Sequence, residues 1–152
     1  MLTFGQWIDN KDTASLDDAY GATIDIENPT DGSIVGKVPA GGPKDAQAAL
    51  QSAARAQSAW AKVPAKQRAQ VLKDIAQIIR DNRDALAETL LMEQAKVEGL
   101  AQVEVDATAA YFDMYAGSLY SFPGEIVQSD SPDEKIYLHY APIGVSVGIA
   151  PW

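Results

Sequence analysis

The most constraining stretch of the chain is Gly144-Val145-Ser146-Val147-Gly148-Ile149, nearly all apolar and rich in Val, Ile and Gly. A short run without polar alternation suits a strand covered on both faces, as in a parallel α/β sheet. Such a strand needs neighbours on both sides, helices above and below, and a crossover connection to the next parallel strand. Only Ala150, Pro151 and Trp152 follow it. The expectation is a fold begun and not finished. Ile143, Val145, Val147 and Ile149 would then be left as an exposed, aggregation-prone patch.

Three zones precede this run. In the first, residues 1–40, Ala22-Thr23-Ile24-Asp25-Ile26-Glu27 alternates, with Ile24 and Ile26 on one face. Asn28-Pro29-Thr30-Asp31-Gly32 is a dense turn signal, and Ser33 to Val38 reads as the returning strand of a hairpin. Gln6-Trp7-Ile8 is a further short strand, and Asp9 to Tyr20 reads as a polar loop. In the second zone, residues 43–119, Gly42 and Pro43 give an N-cap and first helical position, with Asp45 placed favourably for the helix dipole. Ala46, Ala49, Leu50, Ala53, Ala56 and Trp60 follow at helical spacing. A second helix, about Ala65 to Met92, is expected to bury Val71, Leu72, Ile75, Ile78, Ile79, Leu86, Leu90 and Leu91, with a bend possible at Asp81-Asn82-Arg83-Asp84. A third, about Val97 to Leu119, lines up Leu100, Val103, Ala107, Ala110, Tyr111, Met114 and Tyr115. The third zone, residues 124–140, holds strands at Gly124–Gln128 and, half-buried, Lys135–Tyr140, joined by a turn at Ser129–Glu134.

Composition narrows the function. A chain of 152 residues with 47% hydrophobic content suits one packed domain rather than disorder. A net charge of −9 disfavours phosphate backbones and anionic membranes, so no nucleic-acid or membrane partner is expected. The N-terminus lacks the basic and apolar regions of a signal peptide, and no apolar stretch reaches the ~20 residues of a membrane span, so the expected location is cytoplasmic. There is no cysteine, which removes disulfides, thiolate metal sites and any thiol nucleophile.

Few constellations carry chemistry. His139, the single histidine, has no second ligand and reads as a half-exposed strand residue. Asp17-Asp18 and Asp130 with Asp133-Glu134 read as solvated turns, so no metal site is expected. Gly41-Gly42-Pro43 reads as a helix start rather than a phosphate cradle, and no Gly-x-Gly-x-x-Gly occurs. Tyr111, Met114 and Tyr115 form an aromatic patch whose ordinary explanation is core packing.

Several segments, in order, carry a resemblance. They are the hairpin Ile24 to Pro39; the alanine-rich helix ending Ala53-Ala54-Arg55-Ala56-Gln57-Ser58-Ala59-Trp60; Pro64-Ala65-Lys66-Gln67-Arg68-Ala69-Gln70-Val71-Leu72; Glu93-Gln94-Ala95-Lys96, with alanine where glycine is usual; Tyr115-Ala116-Gly117; and Pro142-Ile143-Gly144-Val145 leading to Ile149-Ala150-Pro151-Trp152. Together they resemble the aldehyde dehydrogenase superfamily over essentially all 152 residues. Gln102-Val103-Glu104-Val105 and Gly124 to Asp130 look most like lactaldehyde and glycolaldehyde dehydrogenases.

The resemblance implies an α/β fold, of which this is the N-terminal part. It would comprise a hairpin, a three-helix layer, oligomerisation strands and the first strand of the cofactor-binding sheet, an incomplete Rossmann-like domain. It implies NAD or NADP beside Ile149, Ala150, Pro151 and Trp152, with simple burial of those strand residues as the competing reading. It further implies a substrate tunnel lined by Ala107 and Tyr111, a small aldehyde substrate and a homo-oligomer joined through an arm at residues 124–140. The family's catalytic cysteine, glutamate and oxyanion asparagine have no counterpart in this chain. The chain alone is therefore expected to be inactive and to bind no cofactor tightly. A free-standing interaction module and one half of a split enzyme are the alternatives.

Overall fold

The computed structural model describes residues 2–17 and 22–150. Strands β1 (Leu2–Thr3), β2 (Gln6–Ile8), β3 (Lys11–Thr13), β4 (Thr23–Glu27) and β5 (Ile34–Pro39) precede helices α1 (Pro43–Trp60), α2 (Ala65–Asp81), α3 (Arg83–Gln94) and α4 (Glu98–Gly117). A short 3-10 turn at Ser118–Tyr120 leads to β6 (Glu125–Gln128) and β7 (Lys135–Leu138).

The expected hairpin forms. β4 and β5 pair antiparallel with Ile24 opposite Val38 and Asp25 opposite Lys37, and β1 adds parallel to β5. Its turn is built by local donors: Asn28 accepts from the Thr30 and Gly32 amides, and Asp31 accepts from the Ser33 amide and hydroxyl. Gly32 sits at φ +75°, a conformation glycine adopts without the steric cost of a Cβ.

The reading of Asp9 to Tyr20 as loop needs correction at its start, while Asp18 to Tyr20 lie outside the described residues. Lys11–Thr13 is a strand, paired antiparallel with β2. The signal lay in Asp9-Asn10, which take φ +56° and +58°. Positive φ at both central residues is the signature of the two-residue turn that matches strand twist, and Asp and Asn tolerate it best after glycine.

α1 begins as expected. Gly42 is the N-cap, Pro43 the first helical residue, and Asp45 accepts the Gly42 amide at 2.9 Å. Asp45 does more than cap. Only 3% exposed, it also accepts the Leu16 amide at 2.8 Å and the Ser15 hydroxyl at 2.9 Å, which ties the N-terminal segment to the helix. Asp9 makes a second tie, accepting from Ser52 at 2.9 Å and Arg55 at 3.3 Å. The apolar stripe of α1 is not covered: Ala46, Ala49, Leu50, Ala53, Ala56 and Trp60 are all exposed.

The expected second helix is two. α2 and α3 are interrupted at Asn82 (φ −108°, ψ 17°), within the polar stretch where a bend was expected, and the Asn82 side chain donates to the Ile78 carbonyl at 2.8 Å. α2 and α3 both pack on α4. The buried contact is made of small residues: Ala87, Ala101 and Val105, with Ile79 and Leu90 against them. The expected burial along α2 and α3 is only partial, since Val71, Ile78 and Leu86 stay exposed.

For α4 the correction is larger. Leu100, Val103, Ala107, Ala110, Tyr111, Met114 and Tyr115 face outward, while Ala101, Val105, Ala109 and Ala116 are buried. The helix is apolar on two sides, so spacing alone does not say which side is inward. Alanines let the backbones approach closely, and that seam is the one used.

α3 ends at Ala95 in the left-handed conformation, φ +52° and ψ +30°. This accounts for the glycine usual at that position in the resembling family, since a Cβ costs energy there. Ala95→Gly is expected to stabilise the chain by about 0.5–1 kcal/mol. A rise in the urea midpoint at unchanged m-value is the check.

Acid stability follows from the ties. Asp45 is held below the ordinary carboxylate range by the Gly42 amide first and then by the Leu16 amide. Asp106 is held low by the Arg83 guanidinium, Asp9 by Ser52 and Arg55, and Asp31 by Ser33. Each carboxyl has a lower pKa folded than unfolded, so its contribution is fully present above the unfolded value, about 3.9, and is lost as pH falls through the folded one. Helicity by circular dichroism should hold from pH 8 to 5 and fall in acid below about pH 4. Asp45→Asn should make the remaining acid transition shallower; an unchanged transition would show that this tie does not contribute.

β6 and β7 form the expected hairpin, Glu125 opposite Leu138 and Gln128 opposite Lys135. β7 is not half-buried, however; both strands are exposed on both faces. Phe122 meets Tyr140 edge-on at the hairpin's base, centroids 5.7 Å apart. The strand expected at Gly144–Ile149 is likewise not formed. Residues 143–150 are exposed and without regular structure, and no strand among the described residues pairs with them. Pro151 and Trp152 lie outside the described residues.

Candidate functional site: the outward face of α4

α4 carries the residues expected to line a substrate tunnel. Ala107 and Tyr111 are one turn apart and therefore neighbours on the helix surface. Both are exposed, Tyr111 at 62%, and Met114 and Tyr115 extend the same side. Core packing, the ordinary explanation of this aromatic patch, does not account for it within this chain. The helix holds four acids and no base. Three of those acids, Glu104, Asp106 and Asp113, are engaged with Lys96, Arg83 and Arg80 of the α2–α3 side. Glu104 borders that face, on nearly the line of Tyr111, but Lys96 pairs its charge, so between the paired acids the outward face offers an apolar wall for an apolar or small polar molecule.

These ion pairs were not read from the sequence. Their partners are 8, 23 and 33 residues apart. The one available signal was the unbalanced acidity of α4, which calls for bases on whatever packs beside it.

The residues expected beside the cofactor are not joined to this face. Ile149 keeps 94% of its surface and Ala150 is exposed, so neither packs on Ala107 or Tyr111. They are apolar and offer one wall, without a charge or side-chain donor for a pyrophosphate. His139 lies just beyond β7, exposed. No group of His, Asp and Glu able to hold a metal occurs among the described residues. No helix there is long and apolar enough to cross a membrane.

Comparison with known proteins gives these features a context. The profile of the aldehyde dehydrogenase family matches residues 16–152. The chain is 38% identical over 152 residues to 3,6-anhydro-alpha-L-galactose dehydrogenase of Vibrio sp. (strain EJY3), covering 100% of this chain and 30% of the relative. It is 39% identical over 131 residues to lactaldehyde dehydrogenase of Escherichia coli (strain K12), covering 86% of this chain and 27% of the relative. The fold matches the crystal structure of lactaldehyde dehydrogenase from Escherichia coli with a TM-score of 0.83 at 34% identity, over 90% of this chain and 28% of that one. A structure of 3,6-anhydro-L-galactose dehydrogenase in complex with NAP matches with a TM-score of 0.80 at 33% identity, over 89% and 28%. The chain thus spans about 30% of the length of the relatives it matches. A profile match over most of the chain, sequence likeness along its whole length and a shared arrangement of strands and helices agree: the chain belongs to the aldehyde dehydrogenase family.

Proposed function

We propose that this chain supplies the N-terminal part of an NAD(P)-dependent aldehyde dehydrogenase that oxidises a small, lactaldehyde- or glycolaldehyde-like substrate to the acid. The carrying observation is the outward face of α4, apolar between its paired acids yet uncovered by the described residues. In this reading Ala107 and Tyr111 line the route of the aldehyde, and the covering surface comes from the portion of the relatives that this chain does not span.

Oxidation of an aldehyde by hydride transfer needs a nucleophile to make a tetrahedral centre, donors for its oxyanion and a base to activate water. This chain has no cysteine, and none of its residues is assigned those roles. Its own part is to bind and orient the aldehyde and to exclude water. NAD or NADP, when bound, accepts the hydride. Ile149 and Ala150, with Pro151 and Trp152, would form one apolar wall of its site, the phosphate-binding groups coming from outside this chain. Alone, the chain is expected to show no turnover.

The exposed β6–β7 hairpin supports a homo-oligomer. Ile126 is 77% exposed and Tyr137 is also open, and an unpaired edge is a template for pairing with a second copy.

The test joins residues 1–152 to the matching remainder of Escherichia coli lactaldehyde dehydrogenase. The expected result is NAD(P)-dependent oxidation of lactaldehyde, with KM raised roughly tenfold by Tyr111→Ala, as loss of about 1.4 kcal/mol of binding would do. A folded chimera without turnover, or a Tyr111→Ala variant with unchanged KM, would overturn the reading.

A further inference from the structure

We infer that Arg80, Arg83 and Lys96 act as positioning residues, an ion-pair clamp that sets the rotation of α4 and so decides which of its two apolar faces is presented to the aldehyde. The inference rests on the reading of that face as part of the substrate route.

α4 poses a rotational problem. Its inward seam, Ala101, Val105, Ala109 and Ala116, is made of three alanines and a valine. Its outward face carries the larger Leu100, Val103, Tyr111, Met114 and Tyr115. Burial scales with apolar area, so area alone favours turning the larger face inward. Within this chain area does not select the orientation seen, and the ion pairs are the feature that distinguishes the two faces.

The three engaged acids have the placement to do so. Glu104, Asp106 and Asp113 span about two and a half turns of α4. Lys96 follows the left-handed residue that ends α3, Arg83 opens α3, and Arg80 lies in the last turn of α2. The rungs thus meet α4 along much of its length, two from the neighbouring helices and the third from the link between α3 and α4. The middle rung is a fork: Arg83 Nε reaches Asp106 Oδ1 at 2.8 Å and Nη2 reaches Oδ2 at 3.0 Å. Two parallel bonds between planar groups fix orientation as well as distance. Asp106 directly precedes Ala107, and Glu104 lies two turns before Tyr111, on nearly the same line of the helix. Turning α4 by half a turn would bury the larger face but would carry all three acids away from their bases. Ion pairs used in this way select one packing among competing ones rather than adding much stability.

The experiment uses the active chimera described above. Arg83→Met and Asp106→Asn should each raise KM for lactaldehyde roughly fivefold, with kcat within about twofold and the KM for the nicotinamide unchanged. The exchange Arg83→Asp with Asp106→Arg should restore KM, and Arg83→Lys, which keeps the charge but loses the fork, should fall between. A merely structural role would lower the yield of active enzyme and leave KM alone. Unchanged KM in both single variants, or a loss in kcat alone, overturns the inference. Should the Arg83 variants not fold, Arg80→Met and Lys96→Met read the same KM at the outer rungs. Tyr111→Ala separates the two levels of argument. If it leaves KM unchanged, the substrate-route reading has failed; if it raises KM while the clamp variants do not, only the clamp has failed.

Discussion

Replacing Ala101 by leucine is expected to destabilise the chain by about 2–3 kcal/mol, the upper range for forcing extra methylenes into a closed contact. Ala101 is fully covered, at the meeting of Ala87, Val105, Ile79 and Leu90. A leucine there must push α3 from α4. The loss is large for this chain because no large side chain is fully buried among the described residues, so the small-residue seam carries much of the packing. Against a total stability of about 5–15 kcal/mol typical of folded domains, it would be felt throughout. Ala107→Leu, on the outward face of the same helix, should change stability by no more than about 0.5 kcal/mol. Urea midpoints of the two variants decide the matter, and equal losses would mean that the inward face of α4 is misassigned.

Gly124→Ala is expected to cost about 2–3 kcal/mol and to dissolve the β6–β7 hairpin. Gly124 sits at φ +79°, and a Cβ there would lie 2.5 Å from the Leu138 carbonyl oxygen. The left-handed conformation alone costs a side-chain-bearing residue about 1–2 kcal/mol, and the contact adds to it. The backbone of β7 cannot swing aside without breaking the ladder that ends at Leu138. Amide exchange at Val127 and Ile136 should become fast, and any self-association through the hairpin should disappear with it. Gly99→Ala makes the contrast, since a Cβ at that helical position meets nothing within 4 Å. It should be neutral or stabilise by up to about 1 kcal/mol. Intact protection of the hairpin in Gly124→Ala would refute the assignment of that strain.

Much of the element order was legible because it rests on local chemistry. The β4–β5 hairpin follows from alternation around Asn28-Pro29-Thr30-Asp31-Gly32, and the start of α1 from Gly42-Pro43 with Asp45. The bend at Asn82 follows from a polar break in an otherwise periodic run. The β2–β3 hairpin was missed because its turn carries Asp-Asn rather than a glycine, although both residues adopt the same left-handed conformation. The residues of the candidate site were legible as positions on a helix face, Ala107 with Tyr111, but not as a surface with a direction.

Sequence by itself determined the β4–β5 and β6–β7 hairpins and the helical middle of the chain, the absence of any thiol nucleophile, and the order of segments that places the chain in its family. Those properties depend on residues near one another in the chain, or on composition alone. Only the tertiary structure decided that the alanine side of α4 turns inward and its aromatic side outward. It also decided that the stripe of α1 stays uncovered and that Gly144–Ile149 pairs with no strand among the described residues. The reason is the same in each case. An apolar face specifies that it should be buried, but what buries it is a surface distant in sequence, and for α4 the choice between two such faces goes with three ion pairs whose partners lie 8, 23 and 33 residues apart.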